Sequence, residues 1–376
     1  MSDYLGKDIF KLGFGFMRLP KNEDGSINIE ETSAMVDKFL DAGGTYFDTA
    51  YVYDKGGSEE AIRKSLVDRY PRDRYTLCTK LNAGMQQCEN EADARQQFYT
   101  SLERTGAGFF DYYLLHALNT KNYEKYDKFH LWDFIKEQKE KGLIKHFGFS
   151  FHGTPELLEQ LLTVHPEVDF VQLQINYADW ENPDVASRAC YEISRKHGKS
   201  IVIMEPVKGG VLADPPKNVE EILKSANPNV SLASWAIRYA ASLDGIMTVL
   251  SGMSNMQQME DNLSYMRDFK PFSKEEYAVI EKVQEMLKSV KTIACTACHY
   301  CTDGCPVKIP IPEIFTARNM QIKKLKNKAA RRDYNTAVEG VGKASDCIHC
   351  MQCEGVCPQQ LKITEFLAEC VEMLEQ

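Results

Sequence analysis

Between residue 10 and about residue 270, short runs of apolar, β-branched and aromatic residues alternate with longer stretches in which apolar residues recur at helical spacing. The short runs predict strands at Lys11–Met17, Thr45–Asp48, Tyr75–Thr79, Tyr112–His116, His146–Ser150, Phe170–Gln174, Ile201–Glu205 and Ile246–Leu250. Between them IEETSAMVDKFLDAG, SEEAIRKSLVDRY, EADARQQFYTSLERTG and LWDFIKEQKEKG read as amphipathic helices. Strand-to-strand intervals of about 26 to 45 residues suit βα units with right-handed crossovers. Eight such units in about 270 residues predict an α/β fold, a (β/α)8 barrel. A doubly wound open sheet is the alternative, but no GxGxxG follows a strand. Asp48, Lys80, His116, Ser150, Gln174, Glu205 and Ser251 all fall at or just past the C-terminal ends of their strands. In a barrel those ends converge on one rim, where active sites are built.

Beyond the last strand the pattern becomes helical. Residues 273–290, SKEEYAVIEKVQEMLKSV, open on Ser273 with Glu276 three later, a capping-box pattern. The boundary is therefore expected near residue 290, with a barrel over 1–290 and a smaller, mainly α-helical domain over 291–376. Helical periodicity runs through IPEIFTARNMQIKKLKNKAARRDYNTAVE and again through ITEFLAECVEMLEQ.

Composition adds one unusual number. The chain has 376 residues, 26% charged and 43% hydrophobic, with a formal charge of −9, an ordinary globular balance. Its acidity argues against a nucleic-acid partner. No apolar run approaches the roughly 20 residues that span a bilayer. The opening MSDYLGKDIF has no apolar signal region, so a cytoplasmic location is expected. Yet there are 12 cysteines, and all but Cys78, Cys88 and Cys190 follow residue 290. Those three have no ligand spacing and read as buried apolar thiols.

Eight of the late cysteines form two copies of one pattern: Cys295-x2-Cys298-x2-Cys301-x3-Cys305-Pro306 and Cys347-x2-Cys350-x2-Cys353-x3-Cys357-Pro358. The pattern resembles the bacterial ferredoxin run that ligates [4Fe–4S] clusters. Three thiolates two residues apart reach three irons of one cubane, and in two-cluster ferredoxins the proline-linked fourth ligates the other cluster. The resemblance implies one cluster on Cys295, Cys298, Cys301 and Cys357, and a second on Cys347, Cys350, Cys353 and Cys305. Zinc competes, but a zinc site has no use for a third cysteine and a Cys-Pro in both copies. Cys370 reads as core, and His299 and His349 as loop residues between ligands.

The barrel segment resembles the aldo-keto reductases. LGFGFMRLP at 12–20, GTYFDTAYVYDKGGSEE at 44–60, TK at 79–80, DYYLLHAL at 111–118, GLIKHFGFS at 142–150, QLQIN at 172–176 and LSGMSNMQQMEDNL at 250–263 carry the likeness, in family order. It implies an oxidoreductase that reduces an aldehyde or ketone with NADPH or NADH, or runs the reverse reaction. The catalytic positions it implies are Tyr53, Lys80, Asp48 and His116. Hydride addition to a carbonyl leaves an alkoxide that needs a proton, and a tyrosine with an ordinary pKa near 10 needs tuning to supply it. Lys80 would favour the phenolate, Asp48 would hold Lys80, and His116 would orient and polarise the substrate oxygen. Cofactor contacts carried over are Gly15, Phe16, Met17, Asp48, Ser150, Gln174, Met204, Ser251, Gly252, Met253, Ser254, Gln258 and Asn262. Four positions depart from the family pattern. Phe151 stands where an asparagine is usual, and Met204 replaces a ring-stacking tyrosine. Gly252 and Gln258 replace basic residues that neutralise a 2′-phosphate, leaving NADP and NAD both open.

A nicotinamide delivers two electrons as hydride, whereas a cubane passes one at a time. A bound flavin would reconcile them, though no flavin motif is present; stepwise delivery to a substrate on the barrel is another route. Electron transfer is the expected use of the clusters, with a structural or sensing role as alternatives. In the competing whole-chain reading, an electron-transfer or redox-sensing protein, the barrel binds nicotinamide without useful carbonyl reduction. Clusters of this kind imply oxygen sensitivity and an anaerobic setting. The one basic run, Arg318, Lys323, Lys324, Lys326, Lys328, Arg331 and Arg332, reads as a solvated helix face, or as a docking patch for an acidic ferredoxin or flavodoxin.

Overall fold

The computed structural model describes residues 4–85, 87–288, 292–324 and 327–375. Eight parallel strands close into a barrel in sequence order. They are β1 (Leu12–Gly15), β2 (Tyr46–Asp48), β3 (Thr76–Leu81), β4 (Phe110–Leu118), β5 (Ile144–Phe151), β6 (Phe170–Gln174), β7 (Ser200–Met204) and β8 (Ile246–Ser251). Their near-continuous apolar sequences follow from being covered on both faces, as parallel strands must be. The expected strands are all present, with ends shifted by a few residues.

The outer helices form where capping and an apolar stripe coincide. Ile29–Asp41 starts at Asn28, whose side chain accepts from the Glu31 amide at 3.0 Å. It buries Met35, Val36, Phe39 and Leu40 against the barrel, each worth roughly 1.5–3 kcal/mol. Glu91–Thr105 has a capping box between Asn90 and Asp93 and stops at left-handed Gly106. Across the N-terminal mouth, Leu5 and Ile9 pack on an interior cluster of Tyr46, Cys78, Tyr112, Leu114, Phe170, Val202, Met247 and Leu250.

One register row crosses the barrel from rim to floor: Gly15 pairs with Asp48, Asp48 with Cys78, Cys78 with Tyr112, and Tyr112 with His146. Neighbours in such a row point to the same face. Polar residues at the end of β2 are therefore continued inward by a thiol and a phenol.

The chain divides into two compact units, residues 1–206 with 236–272 and residues 207–235 with 273–376. The boundary expected near 290 falls at 289–291, outside the described residues. In the second unit helix Lys274–Lys288 packs on helix Lys217–Ala226. The Ser273–Glu276 capping box forms, with both bonds made at 2.9 and 3.2 Å. Helices Ile311–Lys324, Asn327–Ala337 and Ile363–Leu374 enclose a core of Ile314, Phe315, Ala330, Tyr334, Leu367 and Cys370.

Arg318 corrects the reading of the basic run as one solvated face. It is 7% exposed and its guanidinium donates to Glu369 at 3.0 Å. Lys326 and the side chains of Lys323 and Lys324 lie outside the described residues.

β5 and β6 approach so closely at Gly148 that an added Cβ would sit 2.1 Å from the Phe170 carbonyl oxygen. Gly148→Ala is expected to lower the thermal midpoint by roughly 5 °C or more. Gly355→Ala, with nothing within 4 Å, should barely move it. Circular-dichroism melting of both checks this, and equal midpoints would refute the packing described.

Candidate active site and cysteine-rich unit

At the rim, Lys80 sits on β3 with no exposed surface. Its Nζ donates to Asp48 Oδ1 at 2.5 Å and to the Thr49 carbonyl at 2.6 Å. The same ammonium lies 4.8 Å from the ring centroid of Tyr53. Tyr53 is buried, and its ring meets that of His116 edge-on at 5.7 Å. The four residues implied by the resemblance are thus brought together from β2, the turn after it, β3 and β4.

Burial pushes the Asp48 carboxyl above its usual range, opposed by the Lys80 ammonium and by Cys78. Among the described residues the second oxygen, Oδ2, is buried with no hydrogen-bond partner. Burial, reinforced by Lys80 and His152, holds the His116 imidazole well below its usual pKa. The ring is therefore neutral at physiological pH, and among the described residues its Nδ1 has no hydrogen-bond partner.

Around this centre the strand ends carry buried polar side chains. Ser150 Oγ accepts from the Ala117 amide at 2.7 Å, which leaves its own hydrogen to donate. Gln174 Nε2 donates to Asp179 Oδ2 at 2.9 Å, and Asn176 Nδ2 donates to the same oxygen at 2.8 Å. Ser251 accepts from Asn262 at 2.7 Å, and Asn262 accepts from Tyr265 at 2.6 Å. Gln258 folds back onto the Ser254 amide at 2.8 Å. Gly15 approaches Ser251 and Gly252 closely, Phe16 and Met253 are buried, and Met17 and Met204 are half-buried. Phe151 is buried against Phe149 in an apolar setting.

Sequence reasoning missed four residues here. Cys78 is buried as expected, but its thiol interacts with Asp48 and Tyr46. Its signal was the two-residue spacing from Lys80, which puts both on one face of β3. Asn176 and Asp179 orient Gln174, and the alternation Gln172, Gln174, Asn176 pointed to them. The side chain of Arg18 lies along Gly252, 3.4–3.5 Å from where a Cβ there would begin. Nothing in the spacing announced that contact.

In the second unit the cysteines form two sets. Burial raises the Cys301 thiol, and the Cys298, Cys295, Cys357 and Cys353 thiols add to the rise. Burial and the neighbouring thiols push Cys295 up to about 12. Cys305, Cys347, Cys350 and Cys353 line one pocket. Burial and the Cys347 and Cys350 thiols lift Cys353 to about 11. Among the described residues no three such side chains converge on a single ion.

Both loops share one backbone. Ala297 and His299 flank Cys298 with φ of 51° and 63°, and His349 and Met351 flank Cys350 with 54° and 61°. Lys308 and Gln360, three residues after the fourth cysteine of each copy, are left-handed as well. Such turns aim amides inward: Ala297 N donates to Cys295 Sγ at 3.4 Å, and Ile309 N to Cys305 Sγ at 3.5 Å. A largely half-buried cysteine set with inward amides is stable as thiolates only around compensating positive charge, so it fits a metal cluster.

A family model, "Aldo/keto reductase family", matches residues 11–285, and a second, "4Fe-4S dicluster domain", matches residues 294–362. Among curated relatives, an aldo-keto reductase of Strobilurus tenacellus is 29% identical over 57% of this chain, which spans 62% of that protein's length. A 9,11-endoperoxide prostaglandin H2 reductase of Trypanosoma cruzi is 28% identical over 73% of this chain and 88% of its own. Among solved structures, an aldo-keto reductase of Bacillus halodurans in its holo form matches 75% of this chain and 95% of its own. Its TM-score is 0.60 at 24% identity. One from Klebsiella pneumoniae in complex with NADPH gives 0.59 at 18% identity, over 73% of this chain and 91% of its own. At these identities the structural likeness is one of fold. Among the described residues no helix is long and apolar enough to cross a membrane.

Because its folded pKa is depressed, the His116 ring should stay neutral from pH 8 to 5.5, and no imidazole signal assigned by comparison with His116→Asn should titrate there in NMR spectra. A midpoint near 6.5 would contradict the burial described.

Proposed function

Since the chain belongs to the aldo/keto reductase family, we propose that it is an NAD(P)H-linked oxidoreductase. It reduces an aldehyde or ketone to the alcohol, or runs the reverse, and its cysteine-rich unit holds two [4Fe–4S] clusters for electron transfer. The observation that carries the first part is Tyr53 held between the Lys80 ammonium and the neutral His116 ring at a barrel rim.

Bound nicotinamide would supply hydride to the carbonyl carbon. Tyr53 Oη gives its proton to the substrate oxygen as negative charge develops there. Lys80 stabilises the phenolate left behind, so the proton moves more readily. Asp48 fixes the ammonium through Oδ1, with Thr49 as second acceptor. A neutral His116 donates a hydrogen bond to the same oxygen without competing for the proton. The neighbour solved with NADPH supports a nicotinamide in this barrel. Ser150 and Gln174 would hold its carboxamide, and Ser251, Gly252, Met253, Ser254, Gln258 and Asn262 its distal end. Arg18 beside Gly252 brings a cation to the loop where positions 252 and 258 carry none.

Cys295, Cys298, Cys301 and Cys357 would hold one cluster, and Cys347, Cys350, Cys353 and Cys305 the other. Clusters supply one-electron transfer, so an acidic ferredoxin or flavodoxin is the kind of partner this unit calls for. The buried, apolar Phe151 favours a second reading, in which nicotinamide binds without useful reduction. Carbonyl-dependent NADPH or NADH oxidation separates the two.

Tyr53→Phe should cut that oxidation by about 10²–10⁴-fold while nicotinamide fluorescence titrations show binding little changed. Turnover within tenfold of the parent would sink the acid–base assignment. After anaerobic reconstitution, iron and sulfide assays should give about eight of each per chain; about four would leave one cluster.

A further inference from the structure

The two cysteine loops share a backbone but not a surface. At equivalent positions the first carries Thr296, His299 and Gly304, and the second carries Ile348, Met351 and Val356. Thr296 is 2% exposed, whereas Ile348, Met351 and Val356 are 62%, 50% and 42% exposed. Three of the largest exposed apolar side chains among the described residues thus fall on one eleven-residue loop, at positions where its twin is polar or bare. Cys350, between them, is exposed too, and Ile348 and Met351 form part of the wall around Cys305, Cys347, Cys350 and Cys353. An apolar lip around a ligand set marks an interaction site rather than a solvated turn.

The charges around this lip select the partner. Glu354, the carboxylate within the loop, is half-buried and engaged by the Thr364 amide at 2.9 Å and hydroxyl at 2.7 Å, while the exposed Asp346 before it accepts from the Lys343 amide at 2.8 Å. Residues 318–332 hold seven basic side chains and no acidic one, of which Arg318 is spent on the core. Lys328, Arg331 and Arg332 are exposed on helix Asn327–Ala337, with Arg332 also paired to Asp333. Tyr334 on that helix takes the Ala344 amide at 3.1 Å, which ties the basic helix to the turn leading into Cys347. Three side chains cannot furnish the roughly 800 Å² per partner that a stable dimer buries, whereas transient redox encounters use the smallest interfaces.

We propose that the Cys347–Cys357 loop, lipped by Ile348, Met351 and Val356 and flanked by the basic helix, is the docking surface for a small acidic one-electron carrier protein. This rests on the reading that the unit holds clusters. One electron passes between the carrier and the cluster on Cys347, Cys350, Cys353 and Cys305; one is oxidised as the other is reduced, and no bond is made or broken.

The test uses the full-length, cluster-loaded protein and a purified acidic bacterial ferredoxin. Its binding to the oxidised protein is measured by sedimentation velocity and its electron transfer by anaerobic stopped flow. Ile348→Ser/Met351→Ser should weaken binding and slow ferredoxin-driven reduction at least tenfold. Reduction by dithionite should be unchanged, and raised salt should weaken binding in the parent. Val164→Ser, which removes an apolar side chain 62% exposed elsewhere, should change nothing. Unchanged binding in the double variant, or an equal loss with Val164→Ser, overturns the proposal. So does a parent that self-associates through these two residues, which would make the occupant a second copy of the chain. Iron analysis of the parent separates the two failures: no iron overturns the cluster reading itself, and iron with unchanged binding overturns the docking surface alone.

Discussion

Everything at the barrel rim turns on one buried ion pair. Lys80 has no exposed surface and Asp48 is 2% exposed, so two charges have been taken out of water together. Such a pair rarely improves stability over a well-packed apolar substitute, because desolvation offsets the attraction. Breaking it by removing one partner is a different matter, costing about 3–5 kcal/mol through the charge left behind. The pair fixes an ammonium beneath the Tyr53 ring and beside His116, which it helps keep neutral. The closed barrel supplies what the pair requires: β2 and β3 in register at Asp48 and Cys78, and a floor sealed by Leu5 and Ile9.

The second unit solves a related problem by other means. Its core packs Ile314, Phe315, Tyr334 and Leu367 between helices, and its clustered cysteines become thiolates only beside a compensating positive charge. Left-handed turns recur around Cys298 and Cys350, and in the first loop amides face the Cys295 and Cys305 sulfurs. The same geometry in both copies makes their different surfaces informative. Thr296 is packed close to Gly209, whereas Ile348 stands in solvent. Hydride chemistry in the barrel and single-electron traffic through this unit are different currencies, and the exposed loop is where the second would enter.

Much of this was legible in the sequence, for physical reasons. Strands buried on both faces read as apolar runs, and rim residues fall at their ends, so the barrel and the positions of Asp48, Lys80 and His116 followed from periodicity. The cysteine repeat was legible because ligand geometry restricts spacing. What escaped depends on register and packing between distant segments. Cys78 looked like any buried thiol, since only the pairing of β2 with β3 sets it beside Asp48. Arg318 looked like one more charge on a basic face, because its partner Glu369 lies 51 residues away. The contact of Arg18 with Gly252 joins the two ends of the barrel and leaves no local trace. Ile348 and Met351 are ordinary apolar residues until their exposure is known.

The claim that the buried pair serves chemistry rather than stability can be tested by replacing both partners at once. Lys80→Met/Asp48→Leu leaves no orphaned charge, so its thermal midpoint should lie within a few degrees of the parent or above it. Carbonyl-dependent NADPH or NADH oxidation by the same variant should fall by about 10³-fold or more. A well-folded double variant that keeps turnover within tenfold of the parent would contradict the central role assigned to Lys80 and Asp48.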